Sequence, residues 1–124
     1  MKIAYIAHPI GGDVEENLSK IRAIVKQINM EEPDVVPFVP YYADCVSLDD
    51  SDPVQRERGI KNDTYLLENG FIDELRLYGD RISQGMISEI LLAWEHGIAI
   101  NPITEKTKKE YLEMFENLHQ PYHS

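Results

Sequence analysis

The chain predicts a doubly wound α/β fold of the Rossmann or flavodoxin type. It should hold about four to five parallel strands with helices on both faces. Two observations carry this. Short β-branched or aromatic runs alternate with longer stretches of helical periodicity, which is the signature of βαβ units. The first strand pattern also ends in a glycine-rich turn directly before a helix, where such folds place a ligand.

The elements follow in order. "KIAYIA" (2–7) is apolar and aromatic-rich and stops at "HPIGGD", a cluster of chain breakers. Asp13 is a suitable N-cap for a helix over 13–30. Glu15 and Glu16 suit its positive end, and Leu18, Ile21, Ile24, Val25 and Ile28 form one apolar stripe. "DVVPFVP" (34–40) reads as a second strand, which Pro37 confines to a sheet edge or a bulge. "YYADCVSLDDSD" is polar and reads as a loop. Asp52-Pro53 then gives an N-cap followed by proline at the first helical position, opening a helix over 53–69 that ends at Gly70. "DELRLYG" is a third strand, "SQGMISEILLAWEH" a helix, and "IAINPI" a short strand stopped by Pro102. An amphipathic helix with Tyr111, Leu112 and Phe115 on its apolar face precedes the tail "HQPYHS". The 124 residues suit one domain, 1–124, of which 103–124 form the C-terminal helix and tail.

Bulk properties narrow the function. With 43% hydrophobic and 27% charged residues the composition is that of a globular protein. A net charge of −10 argues against nucleic acid or an anionic membrane as partner. A small anion remains possible, because the N–H groups at a helix start hold one without many cations. The single cysteine, Cys45, fits a reducing compartment. No apolar run reaches membrane-spanning length and the first residues lack a secretory pattern, so the expected location is the cytoplasm of a bacterium or of a phage-infected host. No metal and no cofactor are expected: "DDSD" lacks the EF-hand pattern, and "EHG" lacks a second histidine at ligand spacing.

The chemistry should sit where the loops after the strands converge. In "HPIGGD", Gly11 and Gly12 permit close approach of a ligand, and Pro9 and Ile10 complete the turn. The spacing is neither a dinucleotide fingerprint nor a P-loop, and a plain flexible turn explains it equally well. His8 is a candidate base or stacking residue, though a histidine at a strand end also serves structure alone. In "GDRISQG", Ser83 suits an N-cap, Gly85 leaves the first-turn N–H groups uncovered, and Arg81 adds charge. Simple capping accounts for Ser83 as well. Glu89 lies six residues beyond Ser83, past the turn where the helix dipole would explain an acid. It belongs at the margin of the buried face or on the solvent side. Asn62 and Asp63 sit within the 53–69 helix, where an aspartate is mildly unfavourable. Tyr41 and Tyr42 offer rings for a planar base, or merely pack the loop.

Taken together, these residues resemble the nucleoside 2-deoxyribosyltransferase superfamily, including its 2'-deoxynucleoside 5'-phosphate N-hydrolase branch. The likeness is greatest to small uncharacterised members found in phages and mobile elements. It rests on the "YIA.P..GDVE.N" start, on "GDRIS.GM..EI..A...GI", and on "ND" at 62 and 63, over residues 2 to 100. The resemblance implies that Glu89 is a nucleophile toward the anomeric carbon of a (deoxy)ribosyl group and that Asp63 assists departure of the base. Serine rather than aspartate at position 83 implies a 5'-monophosphate, since a hydroxyl donates to phosphate and a carboxylate repels it. The serine and arginine that those hydrolases carry in the first loop are absent from "HPIGG". The expected activity is N-glycosidic cleavage of a (deoxy)nucleoside 5'-monophosphate. Deoxyribosyl transfer between bases, or a non-catalytic module sequestering a nucleotide in phage–host conflict, are the alternatives. A homo-oligomer, dimer or larger, is also expected, because the helix over 83–96 carries Ile87, Leu91, Leu92 and Trp94 on more than one side.

Overall fold

A computed structural model describes residues 1–119, with side chains through 117. Strand β1 (Lys2–Ala7) leads into helix α1 (Val14–Glu31), β2 (Val35–Phe38), α2 (Pro40–Ser47) and α3 (Pro53–Glu68). Then come β3 (Glu74–Leu77), α4 (Gln84–Glu95), β4 (Ala99–Pro102) and α5 (Glu105–His119). The four strands form one all-parallel sheet in the order β2-β1-β3-β4. The fold is therefore the doubly wound α/β type. Among the described residues no helix is long and apolar enough to cross a membrane.

The caps form where the side chains dictate. Asp13 accepts from the Glu16 N–H at the start of α1, and Asp52 accepts from Val54 N–H with Pro53 beside it at the start of α3. Ala4 to Ala7 are wholly buried, as expected of a strand covered on both faces. Successive side chains alternate, so Tyr5 and Ala7 join a cluster with Tyr41, Leu67, Met86 and Ile90, whereas Ala4 and Ile6 pack with Ile28 and Val35. Pro37 stands in β2, which is indeed an edge strand, paired opposite Ala4; Pro102 ends β4, the other edge, opposite Leu77.

β3 carries two buried charged residues, Glu74 and Arg76. The Arg76 guanidinium donates both Nη atoms to the Glu32 carboxylate at 2.9 Å and its Nε to Glu74 Oε1 at 2.7 Å. Lys2 and Asn101 complete the ring around Glu74. These charges stay buried because each is answered by forked, charge-assisted hydrogen bonds. The hydrogen bonds from Arg76 hold the Glu32 carboxyl below its ordinary range.

The stretch read as a loop after β2 is instead helix α2. Pro40, assigned to the strand from sequence, takes the first helical turn, where its fixed φ and missing N–H cost nothing. Tyr41 and Cys45, four residues apart, turn the same side of α2 inward. The Trp94 side of α4 is covered by the chain's own α5. Trp94 Nε1 donates to the Tyr111 hydroxyl at 2.9 Å and its ring meets those of Tyr111 and Phe115. Leu91 and Leu112 remain exposed. The tail beyond His119 lies outside the described residues.

Candidate active site

The sheet order reverses between β1 and β3, so the turns after these strands lie side by side. Their contact is tight. Gly79 has φ +95°, and a Cβ there would stand 2.5 Å from Pro9 Cδ. Only glycine fits, for both space and backbone. Gly79→Ala is therefore expected to cost about 2–3 kcal/mol in urea unfolding. Gly11→Ala, whose Cβ would meet nothing within 4 Å, should change stability by less than about 0.5 kcal/mol.

The first turn is held from three directions. Asn17 Nδ2 donates to the carbonyls of Ile10 and Gly11 at 3.0 and 3.2 Å. Arg81 Nη2 reaches Gly11 O at 3.3 Å while its Nη1 pairs with Asp80 at 3.0 Å. His8 is buried, with Nδ1 2.7 Å from Pro9 O, which makes Nδ1 the protonated nitrogen. Burial lowers its pKa below the usual histidine value, so the ring is neutral. Pro9 is buried too, Ile10 is half-buried, and Gly11 and Gly12 are exposed, Gly12 with φ +92°.

Ser83 caps α4, its Oγ accepting from Met86 N–H at 3.3 Å. Gly85 is exposed in the first helical turn, where a Cβ would meet only Ser83 Oγ, at 4.0 Å. One further turn along, Glu89 is half-buried at the contact between α4 and α3. Asp63, half-buried on α3, interacts with it across this contact. Burial first, then the Asp63 charge, push the Glu89 carboxyl up to about 8, while the nearby Tyr5 hydroxyl pulls it down. Burial, then the charge of Asp44, push Asp63 up to about 7. The Tyr5 hydroxyl and Asp63 Oδ1 are buried and make no hydrogen bond. Two orphaned polar atoms beside one carboxyl pair are positions that an incoming polar ligand would satisfy.

The two tyrosines of α2 part company. Tyr41 turns inward: its hydroxyl donates to Ile6 O and its ring lies 5.8 Å from that of Tyr5, near enough to Glu89 to feel its charge. Tyr42 turns toward α1, where its hydroxyl accepts from Arg22 at 2.9 Å on a groove of about 480 Å³ that also involves Ile21, Val25 and Met30. That groove is not at the carboxyl pair. Asn62 faces its own helix, accepting from Arg58 Nε at 3.1 Å. The structure thus brings Glu89 and Asp63 together over Tyr5 and Tyr41. Ser83, Gly85, Arg81 and the first turn lie at the start of α4, and Tyr42 lies elsewhere.

Sequence reasoning passed over Tyr5 and Asp44. The signal at Tyr5 was a hydroxyl in a strand whose neighbours are all apolar, since a buried tyrosine ordinarily wants a partner for its O–H. Cys45 is close by, but burial and three aspartates push its thiol up to about 11, which makes it a poor nucleophile. Among the described residues no group of three or more His, Cys, Asp or Glu side chains could hold a metal ion.

A family model described as a domain of unknown function, DUF7768, matches residues 2–103. No curated protein matches the chain.

Proposed function

Because the chain belongs to the DUF7768 family, a domain of unknown function, its activity has to be read from its own residues, and we propose that it cleaves the N-glycosidic bond of a (deoxy)nucleoside 5'-monophosphate. The observation that carries this is the pair Glu89 and Asp63: two half-buried carboxyls on adjacent helices, interacting with each other, both with raised proton affinity. Environments that shift carboxyls so far are typical of acid–base and nucleophilic sites. The resemblance to the deoxyribosyltransferase superfamily points the same way.

The pair works in its singly ionised form. In the ligand-free protein the shared proton rests mainly on Glu89, pushed up to about 8 against about 7 for Asp63. The reaction uses the form in which that proton has passed to Asp63, and the Tyr5 hydroxyl eases the passage by favouring the charge on Glu89. A Glu89 oxygen attacks the anomeric carbon; the carbon–nitrogen bond breaks and its electron pair leaves on the base, which takes the Asp63 proton. Water then attacks the same carbon, giving one proton to the Asp63 carboxylate and releasing the sugar from Glu89. The sum is nucleotide plus water to free base plus sugar phosphate, with both carboxyls restored.

The Ser83 Oγ accepts from the backbone, so its own O–H is free to donate to a phosphate at the start of α4. Ser83→Asp should keep the helix cap yet weaken monophosphate binding at least about tenfold. The matching nucleoside should lose much less. Calorimetry with both ligands reads the difference, and equal losses would remove the phosphate from this reading.

The direct test is incubation with a panel of nucleotides and nucleosides, followed by chromatography for free base. Return of every ligand intact, with binding shown by calorimetry, would favour a sequestering module instead. Release of base only when a second base is supplied would indicate transfer.

A further inference from the structure

The groove between α1 and α2 and the outer face of α5 complement each other, yet one molecule cannot bring them together. We propose that α5 of one copy docks in the α1–α2 groove of the next, so that the protein associates with itself head to tail. This does not depend on the chemistry at the carboxyl pair.

The groove, of about 480 Å³, takes apolar lining from Ile21 and Val25 of α1 and from Val39 at the start of α2, and Arg22 and Lys26 stand along it. Apolar walls edged by charge are what an amphipathic helix lies in. Arg22 and Lys26 are exposed and one helical turn apart, and neither forms an ion pair with a described residue. The bond from Arg22 to the Tyr42 hydroxyl holds that guanidinium at the groove. In a chain with 22 acidic and 12 basic residues, two adjacent cations without an acid partner are a local attraction for carboxylates.

α5 carries the counterpart. Leu112 is 56% exposed and Phe115 41%, although the Phe115 ring also packs on those of Trp94 and Tyr111. Glu113 and Glu116, again one turn apart, border this apolar pair. Both are exposed, and neither forms an ion pair with a described residue. From Glu110 to Asn117 the helix holds acids at 110, 113 and 116 and no base. Side chains one turn apart stand about 5–6 Å from each other at Cβ. Glu113 and Glu116 therefore match the spacing of Arg22 and Lys26, leaving Leu112 and Phe115 to meet Ile21 and Val25. The charged rows set the register and the apolar rows supply the burial.

The fold makes the occupant a second copy. α1 packs on β2 and α5 on β4, and these strands are the opposite edges of the sheet. A helix at one edge cannot fill a groove at the other edge of its own chain. Each contact also leaves one groove and one α5 unused, so association is heterologous and continues beyond a dimer. One helix face in one groove is a small interface of the weak, transient class, so growth shows at high concentration.

The test is sedimentation velocity on the intact chain from about 10 to about 500 μM, the range suited to a weak interface. The mean mass should climb past twice the chain's 14.3 kDa without levelling. Lys26→Glu reverses the charge along the groove, and Leu112→Glu charges the apolar face of α5. Both positions are exposed, so the fold should survive, and each variant alone should stay monomeric. Mixed, the first still presents a native α5 and the second a native groove, so the mixture should stop at a dimer of one copy each. An unaltered chain that stays monomeric or levels at a dimer would overturn the proposal. So would variants that associate as the parent does, or a mixture that remains monomeric.

Discussion

Glu89→Gln should lose base release by at least about 10³-fold, because an amide cannot form the glycosyl ester. The same substitution should make the protein more stable at alkaline pH. The folded-state value of about 8 stands above the ordinary 4.5, so the folded chain holds this proton more tightly than the unfolded one. Stability from this group is whole below about pH 4.5 and is lost as pH rises through about 8. Glutamine carries no proton to lose. At pH 9 the variant should therefore exceed the parent by about 1–2 kcal/mol, after allowance for solvent screening of a half-exposed group. The gap should close toward pH 5. Urea unfolding at the two pH values measures it, and a variant that is less stable at pH 9 would mean that the folded chain stabilises the Glu89 charge more than burial penalises it. Loss of turnover together with gain of stability separates a functional carboxylate from a structural one.

Asp63→Asn should lower kcat by about 10²- to 10⁴-fold with natural bases, the usual worth of a general acid. The loss should be much smaller for a synthetic substrate whose leaving group departs as a stable anion. The alkaline limb of the pH profile should also vanish, because no acid remains to be titrated. Steady-state kinetics with both substrates over pH 5 to 10 provides the check. An equal loss on both substrates would make Asp63 a structural residue of the α3–α4 contact.

How much of this was legible in the sequence depends on the range of the interactions. Asp13, Asp52 with Pro53, and Ser83 mark helix starts by local chemistry, and each caps in the structure as read. The alternation of strands and helices fixed the fold class for the same reason. Helix α2 was missed because eight residues give too few turns to show a period, and Pro40 fits a strand end as well as a helix start. The partnership of Glu89 with Asp63 depends on how α3 crosses α4, and that of Tyr5 with Tyr41 on how α2 lies over β1. No local pattern contains such crossings; the resemblance alone linked Glu89 to Asp63. The burial of Glu74 and Arg76 was hidden likewise, since its cause, Glu32, lies at the end of a different element.

The prolines at the two rims of the sheet govern how the chain meets its own kind. Backbone donors along a strand alternate sides. Val35 N–H, on the outer side of β2, is taken by Glu32 O, and Pro37, two residues on, has none. The outer row of β2 therefore offers no free donor. Ile103 N–H points inward to Leu77 O, so the preceding Pro102 occupies an outward position of β4, leaving only Ile100 there. A strand from another molecule finds outward carbonyls but almost no free N–H donor at either rim. Association through continuous intermolecular β-sheet, the route to fibrils, is thereby disfavoured, and encounters between copies are directed to the helical surfaces.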